Sequence, residues 1–168
     1  GQPHSDIKDW KNLLTKIDSP KKQLTIGIAG KYTNVHDSYM SILKALEHTA
    51  PYSNASINIK WIETMDIETG KTSVEEAMKA IDGMIVPGGF GKRGAEGKIA
   101  CIKYLRENNI PYLGLCFGFQ MAVIEYARNV CNIQEANSTE IEPDCKDPVI
   151  DILPEQKEIE GLGGNMRL

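Results

Sequence analysis

The sequence predicts an α/β fold, a mostly parallel sheet held between helices in a three-layer sandwich. Three observations carry that expectation. Apolar, β-prone runs alternate with amphipathic stretches from residue 24 to residue 130, the pattern of strand–helix–strand units with parallel strands. Two of the runs, residues 24–29 and 83–86, are apolar almost throughout, as strands covered on both faces must be. A third run, residues 111–115, passes directly into Cys116, which has Gly114 two places before it and Gly118 two places after, and then into an apolar helical pattern. That spacing is a nucleophile elbow, a sharp strand-to-helix turn that lifts one side chain above the sheet.

Taken in order, residues 5–18 carry Ile7, Trp10, Leu14 and Ile17 at helical spacing among charged residues, an amphipathic helix that Pro20 ends. It reads equally as a packing helix at the domain edge or as a linker from an upstream domain. Residues 24–29 form a central strand, and Gly30-Lys31-Tyr32 after it lacks the further glycines and the Lys-Ser/Thr pair of a phosphate-binding loop. Tyr39, Ile42, Leu43 and Leu46 mark a helix with one buried stripe; Ile57, Ile59 and Trp61 alternate with polar residues as in a strand with one solvated face. Ser73-Val74-Glu75-Glu76 is a capping box that opens a helix with Val74, Ala77, Met78 and Ile81 on its buried side. The strand 83–86 ends in Pro87-Gly88-Gly89-Phe90-Gly91, and Ala95, Ile99, Ile102 and Leu105 mark the next helix. The helix after the elbow, residues 117–130, is apolar nearly all round and should be deeply buried. Beyond Gln134, residues 137–140 and 143–145 read as loops, 149–153 as a strand and 161–164 as a turn.

The 168 residues, 41% hydrophobic, suffice for one buried core and a short appendage. A net charge of −4 gives no electrostatic reason to expect nucleic acid or an anionic membrane as partner, and no apolar run approaches a membrane span of about 18 residues. The four cysteines are far apart with no C-x-x-C, which argues against a disulfide framework or a metal knuckle and for a reducing, cytoplasmic setting. Cys101, Cys131 and Cys145 are expected to be inert core residues.

Cys116 is the candidate nucleophile. The N-terminus of the following helix points at its sulfur and favours the thiolate. In an open parallel sheet, ligands bind beyond the carboxyl ends of the strands, where the elbow and residues 87–91 both lie. Attack on an acyl carbon needs two aimed N–H donors. Phe117 supplies the first, and a glycine of residues 88–91, Gly89 foremost, supplies the second. A cysteine nucleophile also needs a base, yet His4, His36 and His48 all precede the elbow and none follows it. These features alone fit a glutamine-cleaving enzyme, a cysteine hydrolase or peptidase-like domain on the same scaffold, or a non-catalytic binding module.

Residues 23–168 resemble the class I glutamine amidotransferase domain, in the form found in the CTP synthase family. The resemblance is carried by residues 27–32, by 86–91 continuing into 93–98, by 106–116 with Gly118-Phe119-Gln120, by 137–140 and 143–146, and by 163–168. It implies a flavodoxin-like or Rossmann-like sandwich in which L-glutamine is cleaved through a thioester on Cys116. The ammonia would pass to a synthetase domain of the same polypeptide, which aminates UTP to CTP with ATP and Mg2+ under GTP activation, in a homotetrameric enzyme of pyrimidine biosynthesis. Gly89, Phe117, Gly118, Phe119, Gln120 and Glu140 match the family's glutamine-binding positions, and Glu140 would hold the substrate's α-ammonium. Arg167 matches an arginine linked to the GTP response. The family's catalytic His-x-Glu would fall beyond Leu168, so the amidotransferase domain is expected to be incomplete here, and residues 1–22 would be the linker helix from an absent synthetase domain.

Overall fold

The computed structural model describes residues 7–30 and 36–154, with the backbone alone at 36 and 37. Helix α1 (Lys8–Asp18) leads into strand β1 (Lys22–Gly30), a 3-10 turn (His36–Tyr39), helix α2 (Met40–Thr49), a second 3-10 turn (Ala50–Ser53) and strand β2 (Ala55–Glu63). Short helices α3 (Thr64–Glu68) and α4 (Val74–Ala77) precede strand β3 (Gly83–Val86), helix α5 (Ala95–Glu107), strand β4 (Tyr112–Gly114) and helix α6 (Phe117–Asn129). Strands β5 (Ala136–Ser138) and β6 (Asp147–Ile150) pair with each other in a separate two-stranded sheet.

The main sheet is parallel, in the order β2-β1-β3-β4. The chain goes from β1 outward to β2, then crosses back over β1 to lay down β3 and β4. This order reverses at the β1/β3 seam and follows the flavodoxin-like pattern, whose ligands lie beyond the carboxyl ends of the strands. β3 is buried along its whole length, as its apolar run requires, and its Met84 and Val86 join Ala29 of β1 in one core with Ile99, Ile102 and Leu105 of α5 and Met121 and Ile124 of α6.

Several local expectations are corrected. The capping serine does accept from the Glu76 N–H at 3.2 Å, but α4 runs only one turn because Ala80 adopts a left-handed φ of 58°. Ala77, Met78 and Ile81 still reach the core from that turn. Helix α3 is not evident in the sequence; it brings Glu68 to the N-terminus of α5, where its carboxylate accepts from the Glu96 and Gly97 N–H groups at 3.1 and 3.4 Å. That supplies the cap that Gly94, at the N-cap position, lacks. The stripe of α2 is half-buried, and the apolar face of α1 (Ile7, Trp10, Leu14, Ile17) is more than half exposed. Residues 137–138 belong to β5, and the expected strand at 149–153 ends at Ile150.

Helix α6 is not buried all round. Phe117, Met121 and Ile124 face the core, whereas Phe119, Tyr126 and the following Val130 are exposed. The helix packs most extensively on α5 and also meets β3, β5, β6 and β4, the last being the edge strand among the described residues. Lys31, Tyr32, the turn at 161–164 and Arg167 lie outside the described residues.

Candidate active site

The register of β3 and β4 places the two glycine-rich segments side by side. Val86 pairs with Gly114, and the Leu115 N–H donates to the Val86 carbonyl at 2.9 Å, so the chain leaves both strands at one level. Cys116 follows immediately, exposed, at φ 50° and ψ −110°. A non-glycine residue in that region is strained by about 1–3 kcal/mol and needs surroundings that hold it there. Here the Gly118 N–H returns to the Leu115 carbonyl at 2.9 Å and the Gln120 N–H to the Cys116 carbonyl at 3.1 Å. The Tyr112 hydroxyl reaches over from β4 and donates to the Gly118 carbonyl. Burial keeps that hydroxyl protonated by pushing its pKa well above the usual tyrosine value, so it remains a donor.

Both elbow glycines are required by space. A Cβ on Gly114 would lie 2.5 Å from the Tyr112 hydroxyl and 2.6 Å from the Phe119 nitrogen. One on Gly118 would overlap the Val86 carbonyl oxygen, because the first turn of α6 sits directly on the end of β3.

The second loop lies beside the nucleophile. A Cβ on Gly88 would stand 3.5 Å from the Cys116 Cβ, whereas the corresponding position on Gly89 meets nothing within 4 Å. Gly89 therefore borders open space, one residue on from the glycine nearest Cys116. The Phe117 N–H opens α6 and is one of the amides that a helix leaves without an internal acceptor, while that of Gly118 is already spent on Leu115. The local chemistry is that of an exposed thiol on a strained turn at the positive end of a helix, with a bare backbone loop beside it.

Glu140 is carried to this loop from the far end of the described chain. Arg128 of α6 donates to the Ala136 carbonyl at 2.7 Å and also pairs with Glu96 of α5, which docks β5 on the helix pair. The turn after β5 closes on the buried Ser138, whose hydroxyl accepts from the Glu140 N–H at 3.2 Å. From that turn Glu140 Oε1 accepts from the Gly91 N–H at 2.8 Å, and Glu142 pairs with Lys92 at 2.9 Å. The structure thus gathers Cys116, Phe117, Gly89 and Glu140 around adjoining loops.

The remaining expected residues divide. Gly118 has both backbone polar groups engaged, and Phe119 is exposed on the first turn of α6. Gln120 has a buried Oε1 with no hydrogen-bond partner among the described residues, an acceptor that a donor from a ligand would satisfy. Of the three cysteines expected to be core, only Cys101 is buried; Cys131 is exposed and Cys145 intermediate, because both sit in the irregular chain around β5 and β6 rather than on a core-facing stripe. His48, on α2, lines an apolar groove of about 720 Å³ with Leu13, Ile17, Leu43, Pro51 and Ile57. That groove lies beside β2, at the opposite edge of the sheet from β4, and no cysteine lines it. Neither the Tyr112 clamp nor the Glu140–Gly91 contact is legible in the sequence, since neither follows a local spacing rule.

Comparison with known proteins agrees with this geometry. Residues 34–168 match the model of the glutamine amidotransferase class-I family. The chain belongs to that family. Within it, the relatives at about half identity are CTP synthases. The enzyme of Carboxydothermus hydrogenoformans is 51% identical over the whole chain, which covers 31% of that protein. The enzyme of Pyrococcus furiosus is 48% identical over 97% of the chain and 30% of its own length. Among solved structures, the Trypanosoma brucei CTPS glutaminase domain with bound acivicin superposes with a TM-score of 0.69 at 33% identity, over 79% of this chain and 51% of that one. The chain spans about a third of the length of the curated relatives it matches.

Proposed function

We propose that this chain is the glutaminase part of a CTP synthase. The observation that carries the reading is the strained, exposed Cys116 beside the 88–91 loop, where a Cβ on Gly88 would stand 3.5 Å from the Cys116 Cβ, with the Glu140 carboxylate held at that loop. Cys116 as thiolate attacks the carboxamide carbon of L-glutamine. The oxyanion that forms accepts from the Phe117 and Gly89 N–H groups, where losing one donor costs about 3–4 kcal/mol of transition-state stabilisation. The C–N bond breaks, a proton is delivered to the leaving nitrogen and ammonia departs. Water then cleaves the glutamyl thioester, releasing glutamate and restoring the thiol. Glu140 holds the α-ammonium, which selects free glutamine over a peptide-bound side chain.

The proton donor and base are assigned to chain outside the described residues, since His48 stands at the other edge of the sheet. In this reading the ammonia aminates UTP on a synthetase domain using ATP and Mg2+ with GTP as effector. The whole enzyme is a cytoplasmic homotetramer, α1 is the link to the synthetase domain, and Arg167 takes part in the GTP response. No step assigned to the residues here runs through a nucleotide or a metal. Among the described residues no helix is long and apolar enough to cross a membrane.

The test is covalent labelling of the native polypeptide by acivicin, the compound bound in the trypanosomal neighbour. The reading expects one label on Cys116 and protection by glutamine. Labelling of Cys131 instead, or labelling indifferent to glutamine, would overturn it.

A further inference from the structure

The carboxylate assigned to the substrate's α-ammonium already has a partner in the protein. Glu140 Oε1 accepts from the Gly91 N–H at 2.8 Å. Gly91 bends the loop at φ 77°, and nothing lies within 4 Å of where its side chain would be. The bond from its N–H to Glu140 is the contact that ties the loop at that point. Two residues upstream is Gly89, and beside it Gly88 faces Cys116 closely enough that an added Cβ would stand 3.5 Å from the Cys116 Cβ.

The turn that presents Glu140 is anchored independently. The Glu140 N–H donates to the Ser138 hydroxyl, and the Ile141 and Glu142 N–H groups return to the Ser138 carbonyl at 3.0 and 2.9 Å. Lys92 reaches Glu142 from the other side, so two successive loop residues are tied to one turn. A carboxylate offers about four acceptor positions, so holding Gly91 leaves Glu140 able to receive an ammonium as well.

We propose that Glu140 is also a positioning residue for the second oxyanion donor. Through the Gly91 N–H it fixes the 88–91 loop, so anchoring the substrate's α-ammonium and aligning the Gly89 N–H are coupled through one carboxylate. The proposal rests on the glutaminase reading above.

Three substitutions separate the two jobs, measured as glutamate release from glutamine by the native polypeptide. Glu140→Gln keeps an oxygen for Gly91 and loses the charge; KM rises about tenfold or more while kcat stays within about twofold. Glu140→Asp keeps the charge but withdraws the oxygen from Gly91; kcat falls about tenfold or more, and KM changes less than in the glutamine variant. Glu140→Ala loses both and shows both defects. Amide hydrogen exchange of the peptide spanning residues 88–91 supplies a readout independent of turnover: it accelerates in the aspartate and alanine variants and not in the glutamine variant. Glu140 is exposed, so thermal melts of all three should stay close to wild type. If wild type is active and the three variants share one kcat and one exchange rate, the coupling is overturned. If wild type releases no glutamate, the glutaminase reading itself fails.

Discussion

Gly118→Ala probes the elbow most sharply, because it sets a favourable local effect against a fatal geometric one. Gly118 is the second residue of α6, and alanine there would ordinarily stabilise a helix by about 0.8–1 kcal/mol. In this fold the added Cβ overlaps the Val86 carbonyl oxygen and lies 2.8 Å from its carbon, where ordinary contact begins at 3.4 Å. The oxygen contact is the tighter of the two, so the first turn of α6 must retreat by about 1 Å or more. Overpacking of this kind costs about 1–3 kcal/mol, so the net loss of stability is about 0–2 kcal/mol. Catalysis suffers more, since displacing a reacting group by about 1 Å costs about a hundredfold. Glutamate release should therefore drop by about 10–100-fold in a protein that still folds, as read by a coupled glutamate assay beside a thermal melt. A Gly118→Ala variant with wild-type turnover would refute the claim that contact with β3 sets the position of Cys116.

Other consequences follow from the packing around the site. Tyr112→Phe removes the donor to Gly118 and should cost about 1 kcal/mol by denaturant titration, with a lower kcat and little change in KM. Glu125 of α6 is 1% exposed and takes a forked hydrogen bond from Arg106, so Arg106→Met should destabilise by about 2–3 kcal/mol; the loss falls short of a fully buried pair's because the arginine side chain is 34% exposed. Replacing both partners by methionine should recover most of that loss. Burial raises the Cys101 thiol from 9.0 to about 12. The folded state therefore keeps a proton that the unfolded chain loses, so this contribution is complete below pH 9 and lost as pH rises from 9 towards 12, by at most about 1.4 kcal/mol per unit. Cys101→Ala should flatten the alkaline limb of a stability–pH curve.

The elbow was legible because glycines at fixed offsets record a steric demand in the sequence itself, and the structure shows what each would strike. The β1 and β3 runs were legible for a similar reason, since strands covered on both faces must be apolar throughout. Helix α6 misled because its composition records hydrophobicity but not what covers it; Phe119 is as apolar as Phe117, yet only Phe117 meets the core. The one-turn α4 escaped because nothing in the sequence announces that Ala80 turns left-handed. Glu140 came from family resemblance alone. Its contact with Gly91 spans 49 residues, and such distant pairing leaves no local pattern to read.

The central claim is that Cys116 carries the glutamyl group. Quenching the native polypeptide with acid during turnover of glutamine, followed by mass analysis of its peptides, tests that claim directly. The account predicts a glutamyl thioester on the peptide containing Cys116, absent in Cys116→Ala along with glutamate release. Glutamate formed at the wild-type rate by that variant, or an adduct on Cys131 in its place, would contradict it.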